Sequence, residues 1–590
     1  MIKPFKEREL SMADWYQPTL GFWEKTEKLF NKVIDAKPHT PVYTMAKYWA
    51  RRPWNVFREL ISYYTSPGDI VLDPFCGGGV TVVEGLILRR KVVGVDVNPL
   101  ATYLTEMEIK PLDIEKFRDA FNKLEKELKP LFEEIYRTYC PNCGKVSIIN
   151  WISWDENKKI PIRLHGTCHI CGTFEKEPWD FDISLTKRYE KDFRDMISKL
   201  NLWFPDIEIP TGDKTSTLLN KGINKFCDLF TKRNLFALSL LYDKIRKLPD
   251  NEVREFLLFA FISSLKWASR MSHLRGDIIE GWAMHAYWIY PESLELNIWE
   301  IFKRRCKAVA RGKSYSNKFI GSFYKPASSF DEVKNGKATC LIINQSSDEL
   351  PIPDGTIDAV ITDPPYGGNV NYGELSDYFL IWLKNNTMDK SKEIIINKSQ
   401  GKTIHEYEKG LENVFKECFR VLKKDGIMVL TFNSKDSRVL ASCVLAASRA
   451  GFRLNSDAVI YQPPIRAYQT TFHGIFVDSF IGDFILTFHK SSLVKTKDCM
   501  GLNELKERVD RQIEEGYQNQ FTESMVREKI YKLLLPFLGN HSDDPNICML
   551  ATNYIEARFK ELSKYFSDVR KKLEIERRMK YLKKSEERSE

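Results

Sequence analysis

The stretch Asp73-Pro74-Phe75-Cys76-Gly77-Gly78-Gly79 does most to limit what this chain can fold into. It follows an apolar run (Ile70, Val71, Leu72) that reads as a buried strand, and it opens a helical run over 81–88. A glycine loop between a strand and a helix starts a parallel βα unit, because glycine lets the backbone turn sharply and approach a ligand closely. A second strand at 92–95 completes a βαβ unit. Its end, Gly94-Val95-Asp96-Val97-Asn98-Pro99, brings a carboxylate to the same rim as the glycines. Far downstream, Ile357, Ala359, Val360 and Ile361 form another apolar strand running into Asp363-Pro364-Pro365-Tyr366-Gly367. Two adjacent prolines fix φ and donate no hydrogen bond, so this loop presents acceptors and an aromatic ring in one stiff geometry.

In this order, these motifs resemble those of the S-adenosylmethionine-dependent DNA amino-methyltransferases, which methylate N6 of adenine or N4 of cytosine, and of their zinc-ribbon-containing adenine-specific type. The resemblance covers residues 40–110 and 330–490 and implies an α/β fold with a seven-stranded Rossmann-like sheet. Asp73, Phe75, Gly77 and Gly79 match the first cofactor motif, and Asp96 and Asn98 match the acidic strand end that binds the cofactor ribose. Tyr48, Trp49 and Pro53, within Lys47-Tyr48-Trp49-Ala50-Arg51-Arg52-Pro53-Trp54-Asn55, match the segment that lies against the methionine end. Two positions depart from the pattern. Gln345 follows a strand read at 339–343, where relatives carry an acidic residue facing the cofactor adenine; its amide oxygen still offers an acceptor. Gly78 stands where relatives often carry serine.

Asp363, Pro364, Pro365 and Tyr366 match the catalytic motif. An exocyclic amine is a poor nucleophile because its lone pair is delocalised into the ring. By the resemblance, the Asp363 side chain and the Pro364 carbonyl accept its two protons and aim the lone pair at the methyl group. Tyr366 then stacks on a base flipped out of double-stranded DNA. Aspartate at the first position leans to adenine, since the cytosine enzymes often carry serine. N4 of cytosine stays open, and so do tRNA guanine-N2 methyltransferases, which share Asp-Pro-Pro-Tyr-Gly. A zinc-ribbon DNA-binding protein with a dead methylase core is opposed by the intact loops.

Four of the twelve cysteines are paired by spacing: Cys140 with Cys143, and Cys168 with Cys171, each pair followed by glycine. Two such knuckles suit tetrahedral thiolate ligation of a structural zinc, and four thiolates leave no open position for catalysis. The remaining cysteines, Cys76 included, read as small buried hydrophobes.

At 590 residues the chain exceeds what one core holds. The expected organisation is a helical lead-in and cofactor half over 1–110, an insertion over 111–335, a catalytic half over 336–495 and a charged helical extension over 496–590. The insertion would hold the zinc ribbon at 139–175 and a mainly helical target-recognition candidate at 180–325, with Phe226, Leu229, Phe230 and residues 235–242 in its core. In the catalytic half, a helix over 403–422 ends at a turn, Lys423-Lys424-Asp425-Gly426, before a strand over 426–432. A helix over 439–450 and two antiparallel strands at 458–462 and 484–489 follow. Candidate DNA contacts are the cations Lys266, Arg270, His273 and Arg275, and Arg466, Tyr468 and His473 between the last strands. The extension is a candidate surface for a restriction enzyme or another protein partner.

A net charge of +9 permits a phosphate-binding face. The apolar run at 256–262 is far too short to span a membrane, and the first seven residues carry no signal core. A cytoplasmic enzyme of restriction-modification type is the expectation.

Overall fold

The computed structural model describes residues 30–384, 388–463, 482–490, 500–519 and 521–586, with side chains through 567. In chain order the strands begin with β1 (Ile70–Asp73) and β2 (Lys91–Asp96). Next come β3 (Arg137–Tyr139), β4 (Val146–Asp155), β5 (Ile160–Cys168), β6 (Gly172–Lys176), β7 (His273–Arg275), β8 (Ile278–Glu280) and β9 (Glu292–Leu296). The last five are β10 (Cys340–Asn344), β11 (Ile357–Thr362), β12 (Leu422–Phe432), β13 (Arg453–Gln462) and β14 (Asp483–His489).

Seven of these form the main sheet, in the order β10-β2-β1-β11-β12-β14-β13. All its pairings are parallel except the two made by β14. The central strands β1 and β11 are apolar and buried nearly throughout, as a parallel sheet covered on both faces requires. The strand order reverses between β1 and β11. In an open α/β sheet that reversal leaves a crevice outside the carboxyl ends of the strands, where ligands bind.

The turn expected at 423–426 is part of β12 instead. The register steps from Ile357↔Leu422 to Ala359↔Ile427, and Lys423, Lys424 and Asp425 bulge into solvent. A bulge can hide inside a strand because its exposed polar residues look like a turn in sequence. The described part of the lead-in, 30–40, has no regular structure, and only the short 3-10 helix Pro41–Thr44 follows it.

The insertion is less divided than its sequence reads. Strands β3 to β6 form the ribbon sheet, but β9, more than a hundred residues later, pairs antiparallel with β4. The helices Asp180–Lys199, Lys232–Arg246, Glu252–Ala268 and Ile298–Phe319 supply the rest. Phe226, Leu229, Phe230 and Leu235 are buried in its core. Of the C-terminal helices, Glu523–Asn540 packs on β13 and on the helix Ser437–Arg449, Pro545–Glu586 packs on that same helix, and Leu502–Gln518 packs on these two. Leu534, Leu538, Ile555 and Phe559 face inward there, beneath the charged surface. Among the described residues no helix is long and apolar enough to cross a membrane.

Candidate active site

The end of β1 builds the first wall. Gly79 has φ 75°, a left-handed conformation, and starts the helix Val80–Ile87. Gly78 leaves room for its neighbours, since a Cβ there would lie 2.8 Å from Arg51 Nε. Serine at this position would require the Arg51 side chain to shift. Asp96, at the end of β2, accepts the backbone N–H of Gly77 at 2.9 Å and that of Asn98 at 2.8 Å. It thereby ties the glycine loop to the neighbouring strand. Burial pushes the Asp96 carboxyl up to about 6. Asp73 accepts from Phe75 N–H at 3.1 Å and from the Thr362 hydroxyl, bridging β1 to β11 and ordering the loop. Burial pushes it up to about 7. Asn98 caps the helix Pro99–Ile109 through Leu100 N–H at 3.0 Å.

One cavity at this rim is lined by Phe75, Gly77, Asp96 and Asn98 from the cofactor half, and by Asp363 and Pro365 from the catalytic half. Tyr48 and Trp49 also line it, and Tyr48 stacks on Tyr372 with ring centres 5.5 Å apart and planes within 13°. Two charged groups on the wall are incompletely satisfied. Arg51 gives Nη1 to Glu108 at 2.7 Å, but its Nε and Nη2 are buried without a partner. Glu393 accepts Gly373 N–H at 2.9 Å on one oxygen, while the other is buried without a partner. Burial pushes its carboxyl up to about 7. Unsatisfied buried polar atoms are rare and call for a ligand or water. An unpartnered guanidinium edge and an unpartnered carboxylate oxygen in one cavity match the carboxylate and ammonium of an amino-acid tail.

The 363–366 loop is held from below. Tyr407 donates its hydroxyl to the Pro365 carbonyl at 2.7 Å, and the Tyr366 ring packs on Phe432 at 4.7 Å. Asp363 accepts from Thr431 Oγ1 at 2.7 Å and from the Tyr366 hydroxyl. Its second oxygen accepts from Arg52 Nε at 2.6 Å. The Pro364 carbonyl takes no hydrogen bond from the described residues.

Five residues singled out in the sequence do not reach the cavity wall: Pro53, Gly79, Gln345, Pro364 and Tyr366. Pro53 precedes the helix Trp54–Tyr64, and Gln345 donates its amide to the Glu349 carbonyl, leaving Ser346 and Ser347 on the wall. Arg51, Arg52, Tyr372 and Glu393 are on the wall but were not selected. Arg51 and Arg52 lie within Lys47-Tyr48-Trp49-Ala50-Arg51-Arg52-Pro53-Trp54-Asn55, and a pair of cations in a segment set against the cofactor is the signal that marks them in sequence.

Cys140, Cys143, Cys168 and Cys171 meet with all four sulfurs within 4.8 Å of one another. Cys143 and Cys168 sulfurs are 3.7 Å apart, close to the edge of a tetrahedron with zinc–sulfur bonds of about 2.3 Å. Three of the four cations expected to meet DNA in the insertion have partners within the protein, while Lys266 lies over the ring of its neighbour Trp267 at 4.5 Å. Arg270 binds Glu156 at 3.1 Å, His273 stacks on Tyr290 at 3.7 Å and Arg275 pairs with Glu280 at 3.2 Å. Arg466, Tyr468 and His473 lie outside the described residues.

Comparison with known proteins agrees with this geometry. A model of the DNA methylase family matches residues 5–107 and 357–545, on either side of the insertion. The Type II methyltransferase M.MvaI of Kocuria varians is 23% identical over 386 residues, covering 63% of this chain and 62% of its own length. M.MjaII of Methanocaldococcus jannaschii is 21% identical over 447 residues, 71% of this chain and 77% of that one. M2.MboI of Moraxella bovis is 25% identical over 115 residues, 20% of this chain and 33% of its own. The two matched parts carry the two loops that the sheet brings to one cavity, and the chain belongs to the DNA methylase family of N6/N4 amino-methyltransferases.

Proposed function

We propose that this protein transfers a methyl group from S-adenosylmethionine to an exocyclic amine of a flipped base in double-stranded DNA, N6 of adenine before N4 of cytosine. The observation that carries this reading is the shared cavity at the switch point, where Asp363 and Pro365 face the glycine loop and Asp96. The relatives above are themselves Type II methyltransferases.

The cofactor's sulfonium would supply an electrophilic methyl group. Asp96 has lone pairs to spare for ribose hydroxyls, since each oxygen takes one backbone N–H. Arg51 and Glu393 would hold the carboxylate and ammonium of the methionine tail. Asp363 and the Pro364 carbonyl would accept the two amine protons, drawing the nitrogen toward tetrahedral geometry. Tyr366 would stack the base, and its hydroxyl keeps Asp363 oriented. Rate gain then comes from positioning and from fixed dipoles. The four cysteines would hold one structural zinc, a closed site without a catalytic part.

The test is transfer of a tritiated methyl group to duplex DNA and to tRNA side by side, followed by nucleoside analysis. N6-methyladenine from DNA is expected. N4-methylcytosine would redirect the base assignment, and labelling of tRNA alone would overturn the DNA reading.

A further inference from the structure

Arg52 holds a position that the proposed reaction needs free. Its Nε donates to Asp363 Oδ2 at 2.6 Å and its Nη1 to Asp483 Oδ1 at 2.9 Å. The guanidinium carbon lies 4.6 Å from the centre of the Tyr366 ring. Both features assigned to the incoming base, the carboxylate acceptor and the stacking face, are therefore covered by one cation. The match is chemical as well as spatial. A guanidinium is planar, donates N–H groups from its edge and lies flat on aromatic rings, as an amino-bearing base does.

Asp483 supplies the second half of the argument. It opens β14, which runs antiparallel, so it lies at the same rim as the end of β11. Among the described residues Arg52 is the donor its side chain has. Its side chain is only 13% exposed, and a buried carboxylate is costly unless paired. Two carboxylates thus share one guanidinium, and either can keep it when the other is needed elsewhere.

We propose that Arg52 is a placeholder for the target base: it covers Asp363 and Tyr366 until a base enters, then withdraws onto Asp483 while Asp363 accepts the amine. Arg52 and Asp483 are positioning residues in this scheme. The proposal rests on the reading that the 363–366 loop receives a base. No covalent bond is made or broken: Asp363 exchanges its ion pair with Arg52 for a hydrogen bond from the neutral amine, and Arg52 keeps its ion pair with Asp483.

The test uses the full-length protein with S-adenosylhomocysteine and a fluorescein-labelled duplex bearing an unpaired adenine opposite an abasic site. The same duplex abasic at both positions is the reference, and the ratio of affinities reports entry of the base. Arg52→Ala should raise that ratio by about tenfold, because a pocket closed most of the time binds in proportion to its open fraction. Asp483→Asn should lower it, since the displaced guanidinium loses its refuge. The double variant should follow Arg52→Ala, because Asp483 matters only through the cation. A lowered ratio in Arg52→Ala, an unchanged or raised ratio in Asp483→Asn, or a double variant following Asp483→Asn would each overturn the proposal. Calorimetric binding of S-adenosylhomocysteine checks that each variant keeps its fold. If Arg52→Ala does not fold, Arg52→Gln with Asp483→Asn removes the same charges with less loss of volume. A ratio of one in the unaltered protein and every variant, Asp363→Ala and Tyr366→Ala included, would instead refute base binding at this loop. A merely structural Arg52–Asp483 pair would move both single variants in the same direction.

Discussion

Glu374 and Lys214 clasp each other where the insertion meets the catalytic half. The Glu374 carboxylate accepts the backbone N–H of Lys214 at 2.7 Å, and the Lys214 ammonium donates to the Gly368 carbonyl at 3.1 Å, just past Tyr366. Glu374 also accepts from Asp213 N–H at 3.2 Å and from Asn397 Nδ2 at 2.7 Å. A Cβ on Gly212 would fall on the same carboxylate. The insertion thus braces the loop that carries the catalytic motif.

Glu374→Ala should leave these buried donors unsatisfied and cost about 3 kcal/mol of stability. Methyl transfer should slow, while binding of S-adenosylhomocysteine changes little, because no ribose or methionine contact is removed. Gly212→Ala should act in the same direction, since these three hydrogen bonds and a fourth from Asn371 Nδ2 at 3.4 Å keep the carboxylate from yielding. Denaturant midpoints and calorimetry on both variants check this, and an unshifted midpoint for Glu374→Ala would refute the brace.

Asp363→Ala and Tyr366→Ala should both keep cofactor affinity and lose turnover. The tyrosine contributes a stacking platform, about 1–3 kcal/mol by analogy with other base-stacking proteins. The aspartate change should be the more severe, because it acts on the nitrogen as it reacts. Tyr366→Phe separates the two roles: it keeps the ring but loses the hydroxyl that orients Asp363. Its rate should fall between the unaltered protein and Tyr366→Ala, and equality with Tyr366→Ala would assign the effect to the hydroxyl alone.

The cysteine cluster should hold about one zinc per chain, and chelation should loosen the insertion before the main sheet. The link from β4 to β9 extends the expected effect beyond the knuckles to the start of the helix Ile298–Phe319. Hydrogen exchange with and without chelator reads this directly. Elemental analysis finding no metal in reduced protein would remove the zinc assignment.

Strands β1, β2 and β11 were legible because they are short apolar runs with a proline soon after each, and buried parallel strands must look that way. Residue types at the glycine loop and at 363–366 reported their own geometry for the same reason: few other residues tolerate those turns. The contacts of Arg52 were not legible. Its three neighbours, Asp363, Tyr366 and Asp483, come from two other strand ends more than three hundred residues away, and only tertiary packing brings them together. The β4–β9 pairing was hidden likewise, since a five-residue strand inside a helical stretch has too few positions to show a period of two.

Cofactor affinity should depend on pH through two buried carboxyls on the cavity wall, Asp96 and Glu393. Burial pushes Asp96 up to about 6, and Asp73 and Glu393 up to about 7. For folding, groups raised in this way favour the native state below the usual carboxylate range, and that contribution is lost as pH rises through 6 and 7. For binding, the sign is opposite. Ionised Asp96 is the better acceptor for ribose hydroxyls, and ionised Glu393 is the partner for an ammonium. Affinity for S-adenosylhomocysteine should therefore fall as pH drops below 7 and fall more steeply below 6. Each required carboxylate adds a factor of about ten per pH unit once it is protonated. Asp96→Asn should weaken binding throughout and erase the lower inflection, while Glu393→Gln should erase an upper one. Calorimetry from pH 5 to 8 decides the matter: an affinity flat across that range would mean that neither carboxylate meets the cofactor in its charged form.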